Sequence, residues 1–149
     1  MSRYLEAPQE VLNLLDEVLE EWFPELSNCY IKVLMDSKKR QSKGRITLAS
    51  IKKASDMERH LSTDNFVTNG YDYIMMIDGN VFDNITRDDK VRIIRHELRH
   101  IHYDPESKSP YKVQDHDIQD FREEIRLNQD DPDWDMRVYE IAESVYDKS

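Results

Sequence analysis

The chain is poor in cysteine, in positive charge and in long apolar runs, and each shortage removes a class of protein. Cys29 is its single cysteine, so no disulfide can form within the chain, and a reducing compartment is the simplest setting. Lysine and arginine number 21 against 31 aspartates and glutamates, a formal net charge of −10. Phosphate backbones would be repelled, which argues against nonspecific nucleic-acid binding. No stretch is apolar for long enough to span a bilayer and no secretory signal is recognisable, so the expectation is a cytoplasmic protein with no membrane partner. Repeats and low-complexity tracts are missing as well. With 149 residues, 38% hydrophobic and 35% charged, the chain suits one domain, residues 1–149, with a highly charged surface. The local exception to the acidity, Lys38-Lys39-Arg40-Gln41-Ser42-Lys43, reads as a solvated loop between two strands.

Periodicity supplies the elements. Val11, Leu12, Leu15, Val18, Leu19, Trp22 and Phe23 form an amphipathic stripe, with Pro8 near its start and Pro24 as its stop. Residues 30–35 and 45–51 read as strands, residues 53–61 as a short helix, and the apolar run 71–78 as a strand ended by Gly79. A helix is predicted over 86–103, with Thr86 as N-cap, Asp89 completing a capping-box-like pair, and Asp104-Pro105 as the stop. Its core face is Val91, Ile94, Leu98 and Ile101. A loop over 104–112, a short helix after His116 and a last helix bearing Trp134, Val138, Ile141 and Val145 inward complete the chain. The sum is an α+β domain: an N-terminal amphipathic helix, a small twisted, mostly antiparallel sheet, one long central helix and C-terminal helices.

Chemistry concentrates in His96-Glu97-Leu98-Arg99-His100, an HExxH pentapeptide. Residues four apart share a helix face, so His96 and His100 can hold one metal ion together. At about 100° per residue both fall opposite the core stripe. Glu97 then lies beside the metal, where it can take a proton from water. Zinc lowers the pKa of a bound water to about 7, so the pattern points to a zinc hydrolase, most often a peptidase.

A catalytic zinc takes three protein ligands and keeps one position open. Histidine is scarce, with His60, His96, His100, His102 and His116 the full set. His102 is out of phase with His100, and His60 reads as a surface residue. His116, at the start of a new apolar stripe, is the leading third ligand. Carboxylates compete: Asp120 stands roughly twenty positions after the motif, the spacing of an acidic third ligand in one class of HExxH peptidase, and Glu123 and Glu124 follow it. Asp120 could instead orient a ligand histidine. The metzincin arrangement is disfavoured, because Glu106 occupies the place of its third histidine.

HELRHI followed by HDIQDF resembles the phage-type metallopeptidases of bacteriophages and prophage regions. The resemblance covers roughly residues 71–125. It implies a small zincin-like fold, a zinc site and peptidase activity on a peptide or protein substrate, encoded by a phage or prophage and acting in the bacterial host cytoplasm. By position it makes His96, His100 and His116 the ligands and Glu97 the catalytic acid/base. Arg99 stands where an apolar residue is frequent, which puts a charge near the rim of the site. Tyr103, Tyr111, His102 and Arg99 are candidates to stabilise an oxyanion. In many zincins a sheet edge binds substrate as an added strand, and by that analogy the strand at 71–78, or a neighbour, would be the edge. Two other functions fit the same motif: hydrolysis of a non-peptide amide, and a non-catalytic metal-stabilised module that binds a partner.

Overall fold

A computed structural model describes residues 3–63, 69–106, 111–114 and 122–147, and of residues 111 and 122 the backbone alone. The first helix, α1 (Gln9–Trp22), starts at Pro8 and is closed by Phe23 and a 3-10 turn at Pro24–Leu26. Its spacing buries Val11, Leu14, Leu15 and Val18. The strands are β1 (Tyr4–Glu6), β2 (Ile31–Asp36), β5 (Ala49–Lys53) and β6 (Tyr73–Asp78), joined in one sheet of order β1-β2-β6-β5. The outer pairings are antiparallel, and the central pair β2/β6 is parallel. Alternation along these strands sends Val33, Met35, Tyr73, Met75 and Ile77 to the buried face. Each such side chain contributes about 1.5–3 kcal/mol on leaving water.

The strand at 71–78 is thus interior, not an edge, since it has β2 on one side and β5 on the other. Its near-continuous apolar character is what a strand paired on both sides and packed against helices requires. The segment expected as one strand at 45–51 divides instead. Residues Arg45–Ile46 (β4) pair with Gln41–Ser42 (β3) in a small hairpin around Lys43 and Gly44, both at positive φ, before β5 begins. Beyond β5, Ser55 caps α2 (Asp56–Leu61) in a full capping box with Glu58. At Gly70, φ is +74° and an added Cβ would lie 1.9 Å from the Arg59 carbonyl oxygen, so the chain passes there only as glycine.

Asp78 ends β6 and caps the short helix α3 (Gly79–Phe82) through the Val81 N–H at 3.0 Å. Then follows α4 (Arg87–Leu98), which packs against α1 and β5. Thr86 Oγ1 accepts from the Asp89 N–H at 3.3 Å. Asp89 does not return the capping bond. Its fully buried carboxylate accepts from Arg92 at 2.8 Å and from Arg137 at 2.7 Å, which ties α4 to α6 (Trp134–Asp147). On α6, Trp134, Val138 and Ala142 are buried. Tyr146 donates to Asp78, securing the far end of the helix to the sheet.

The helix expected over 86–103 stops at Leu98, with Arg99 as its C-cap. Residues Ile101–Tyr103 (β7) are a strand paired with Tyr111–Val113 (β8), so part of the expected loop is also strand. The reason is tertiary. Gln114 donates its side-chain amide to the Arg99 carbonyl at 2.7 Å and its N–H to the His100 carbonyl at 2.6 Å, taking acceptors that further helix would need. Ile101 and Tyr103 are also good strand residues. Ile101 stays in the core, 7% exposed, but reaches it from a strand. The short helix α5 (Arg122–Leu127) precedes α6.

Candidate metal centre

Among the described residues, one group of side chains is arranged to hold a metal ion: His96, Glu97 and His100, whose ligand atoms all lie within 4.8 Å of one another. His96 and Glu97 come from the last turn of α4, and His100 from the turn that follows it. The helical spacing is kept through Arg99, so ending the helix early does not separate the pair. The two imidazoles meet edge to face, ring centroids 5.5 Å apart. Both are half-buried, and Glu97 is buried.

Hydrogen bonding sets the state of one imidazole. His100 Nδ1 lies 2.7 Å from the backbone oxygen of Gln114. A carbonyl oxygen only accepts, so Nδ1 carries the proton and Nε2 is the nitrogen with the lone pair. A carbonyl behind a histidine in this way fixes its tautomer and orientation for metal binding. Burial pushes the Glu97 carboxyl above its ordinary range, while His96 and His100 pull it down. Two imidazoles are donors that zinc accepts, and the Glu97 carboxylate lies within 4.8 Å of them. The residues present therefore fit a divalent transition metal.

Ion pairs brace the helix on each side of this group. Glu124 of α5, wholly buried, accepts from Arg95 Nε and from Arg99 Nε, each at 3.0 Å. Arg95 also donates to Asn128 and lies 4.7 Å from the centre of the Trp22 ring, while Arg99 lies 4.5 Å from that of Phe23. Each arginine immediately precedes one of the two histidines in sequence. Both oxygens of Glu124 are thus engaged by guanidinium groups. Glu123 is paired with Arg126 and stands outside the histidine group. Arg99 is held in this brace, not at the rim as an oxyanion donor. His60 and His102 are exposed. Tyr103 is 37% exposed on β7. His116 and Asp120 lie outside the described residues, and so does the side chain of Tyr111.

A cleft of about 260 Å³ opens beside His96 and Glu97. Thr47, Leu48 and Ala49, Ile93 of α4, and Trp134 and Asp135 of α6 form the rest of its lining. Ala49 begins β5, an edge of the sheet. Leu48 O accepts from Asp78 N and Ala54 N donates to Asp72 O, which fixes the phase of the ladder. Ala49 and Ile51 therefore turn their N–H and C=O groups away from β6. Sequence reasoning missed the Arg95–Glu124–Arg99 brace and the Trp134–Asp135 wall. A signal for the first was present in the two arginines four apart, each one residue before a histidine.

The fold and this group define an α+β protein with a His-Glu-His group able to hold a metal ion at the end of its central helix. The chain belongs to the family described as "Putative phage metallopeptidase", which matches residues 2–146. The match takes in nearly the whole chain, including both halves of the resemblance at HELRHI and HDIQDF. No curated protein and no solved structure matches it. No helix among the described residues is long and apolar enough to cross a membrane.

Proposed function

We propose that this protein is a zinc-dependent peptidase that hydrolyses a peptide bond, with His96, His100 and His116 as ligands and Glu97 as general acid/base. One observation carries the reading: two imidazoles and a buried carboxylate lie within 4.8 Å of one another, and His96 and Glu97 of that group line a cleft shared with Ala49 of the edge strand β5. Zinc, when bound, supplies a Lewis acid that polarises a carbonyl and acidifies water. Glu97 accepts the proton of the attacking water as its oxygen bonds to the carbonyl carbon. It returns that proton to the nitrogen as the C–N bond breaks. Burial, which raises the proton affinity of Glu97, suits this exchange. An extended substrate would add to β5 through the outward backbone groups of Ala49 and Ile51. The protein works as one zincin-like domain, residues 1–149, in the cytoplasm of a bacterial host, without membrane or nucleic acid.

The test is metal content by elemental mass spectrometry together with cleavage of a peptide mixture, for the wild type, His116→Ala and Glu97→Gln. The expected result is about one zinc per chain, as for a single catalytic site, weakened by His116→Ala and kept by Glu97→Gln, with cleavage lost in both. Zinc kept in full by His116→Ala moves the third ligand to Asp120. No zinc in any form ends the hydrolase reading. Zinc with no cleavage by the wild type leaves a non-peptide amide or a partner-binding role.

A further inference from the structure

We infer that the cleft beside His96 and Glu97 is a side-chain subsite for lysine or arginine, and that Asp135 selects the positive charge. The inference rests on the peptidase reading for its biological meaning, but the binding it describes is separate. Two observations combine. Leu48, Ala49, Ile93 and Trp134 supply apolar walls. The acid in the lining other than Glu97 is Asp135, and no basic side chain but His96 joins it.

A long basic side chain has this character, an apolar stem with a charge at its tip. A purely apolar residue would gain nothing from Asp135, which is exposed. An acidic one would face both Asp135 and Glu97.

Asp135 is available for the task. Its hydrogen bond is local, accepted from the Met136 N–H at Oδ1 over 2.9 Å, and among the described residues it forms no ion pair. Arg45 is a basic group on that side of α6, with its guanidinium 4.7 Å from the centre of the ring of Tyr139, four residues along the helix. It makes no ion pair with Asp135. The chain's net charge of −10 works in the same direction, drawing cationic segments toward the protein.

The pair would be partly solvated, so the selectivity is modest, about five-fold in affinity. The experiment titrates Trp fluorescence with two blocked tripeptides that differ only in a central lysine or norleucine. The protein is zinc-loaded Glu97→Gln, in which neither peptide is cut, carrying Trp22→Phe so that Trp134 reports. The lysine peptide should bind about five-fold more tightly, and high salt should erase the difference. Asp135→Asn should equalise the two peptides, and Asp135→Glu should restore the preference. Equal affinities in the parent protein, or a preference that survives Asp135→Asn, overturns the subsite. The peptidase reading is judged separately, by whether zinc-loaded wild type cuts any peptide. If it cuts without enrichment of lysine or arginine beside the cut, the peptidase stands and the subsite falls.

Discussion

Glu124 is the residue whose removal tests most directly how the centre is held. Its carboxylate is fully buried and accepts one bond from Arg95 and one from Arg99, both at 3.0 Å. Glu124→Gln keeps the shape but deletes the charge. One amide position then presents N–H groups to a guanidinium that also only donates. Arg95 is 6% exposed and has little water to turn to. Breaking a buried pair from one side costs about 3–5 kcal/mol. For a chain of this length each kcal/mol moves Tm by about 2–4 °C, so the expected loss is roughly 6–20 °C. The assay is thermal and urea denaturation by circular dichroism, in the presence of a chelator so that metal does not enter. The double variant Arg99→Met with Glu124→Gln should lose less than the two single changes added together, because the partners are then removed together. A loss below about 1 kcal/mol for Glu124→Gln, or strict additivity in the cycle, refutes the reasoning, since surface pairs behave that way.

Two further outcomes concern stability. Burial raises the Cys29 thiol from 9.0 to about 12, and burial with the Asp78 hydrogen bond raises the Tyr146 phenol from 10.0 to about 12. Both groups are neutral when protonated, and the folded chain keeps the proton longer than the unfolded one. Their contribution is therefore complete below pH 9 and lost as pH rises toward 12. Urea midpoints should fall across that range, and Cys29→Ser should flatten the lower part of the fall; a midpoint level to pH 12 contradicts the assignment. Gly70→Ala should destabilise by more than the roughly 1 kcal/mol typical of a point change, because its Cβ would meet the Arg59 carbonyl at 1.9 Å. An unchanged Tm would show that the turn relaxes freely.

Much of α4 is legible in the sequence, because Val91, Ile94 and Leu98 keep helical spacing and are buried as that spacing requires. The end of the helix is not. What stops it is Gln114, fifteen residues beyond Arg99, and a strand at 111–113, neither of which leaves a local mark. The strand at 73–78 is visible as an apolar run, but its interior place depends on which neighbours pair with it. The histidine pair is legible because both residues come from one short segment. The role of Glu124 is not, because an acid near a metal motif reads equally as a ligand or as a partner for arginine. Its contacts with Arg95 and Arg99 are seen only in three dimensions. Asp135 fails for the same reason: nothing near residue 135 in sequence announces a wall of the cleft.

The parallel pairing of β2 with β6 has a consequence for synthesis on the ribosome. Ile31 lies opposite Tyr73, so the middle of the sheet joins segments forty-two positions apart. Before β6 has emerged, β1 and β2 form a two-stranded ribbon, and β5 has no partner in that sheet. A two-stranded piece is marginal by itself in water. The nascent chain therefore has no lasting sheet until its midpoint has been made. The helix bearing the histidines follows within the next twenty or so residues, so scaffold and centre emerge almost together. Truncations that stop short of residue 78 should give unfolded fragments, without a persistent N-terminal half.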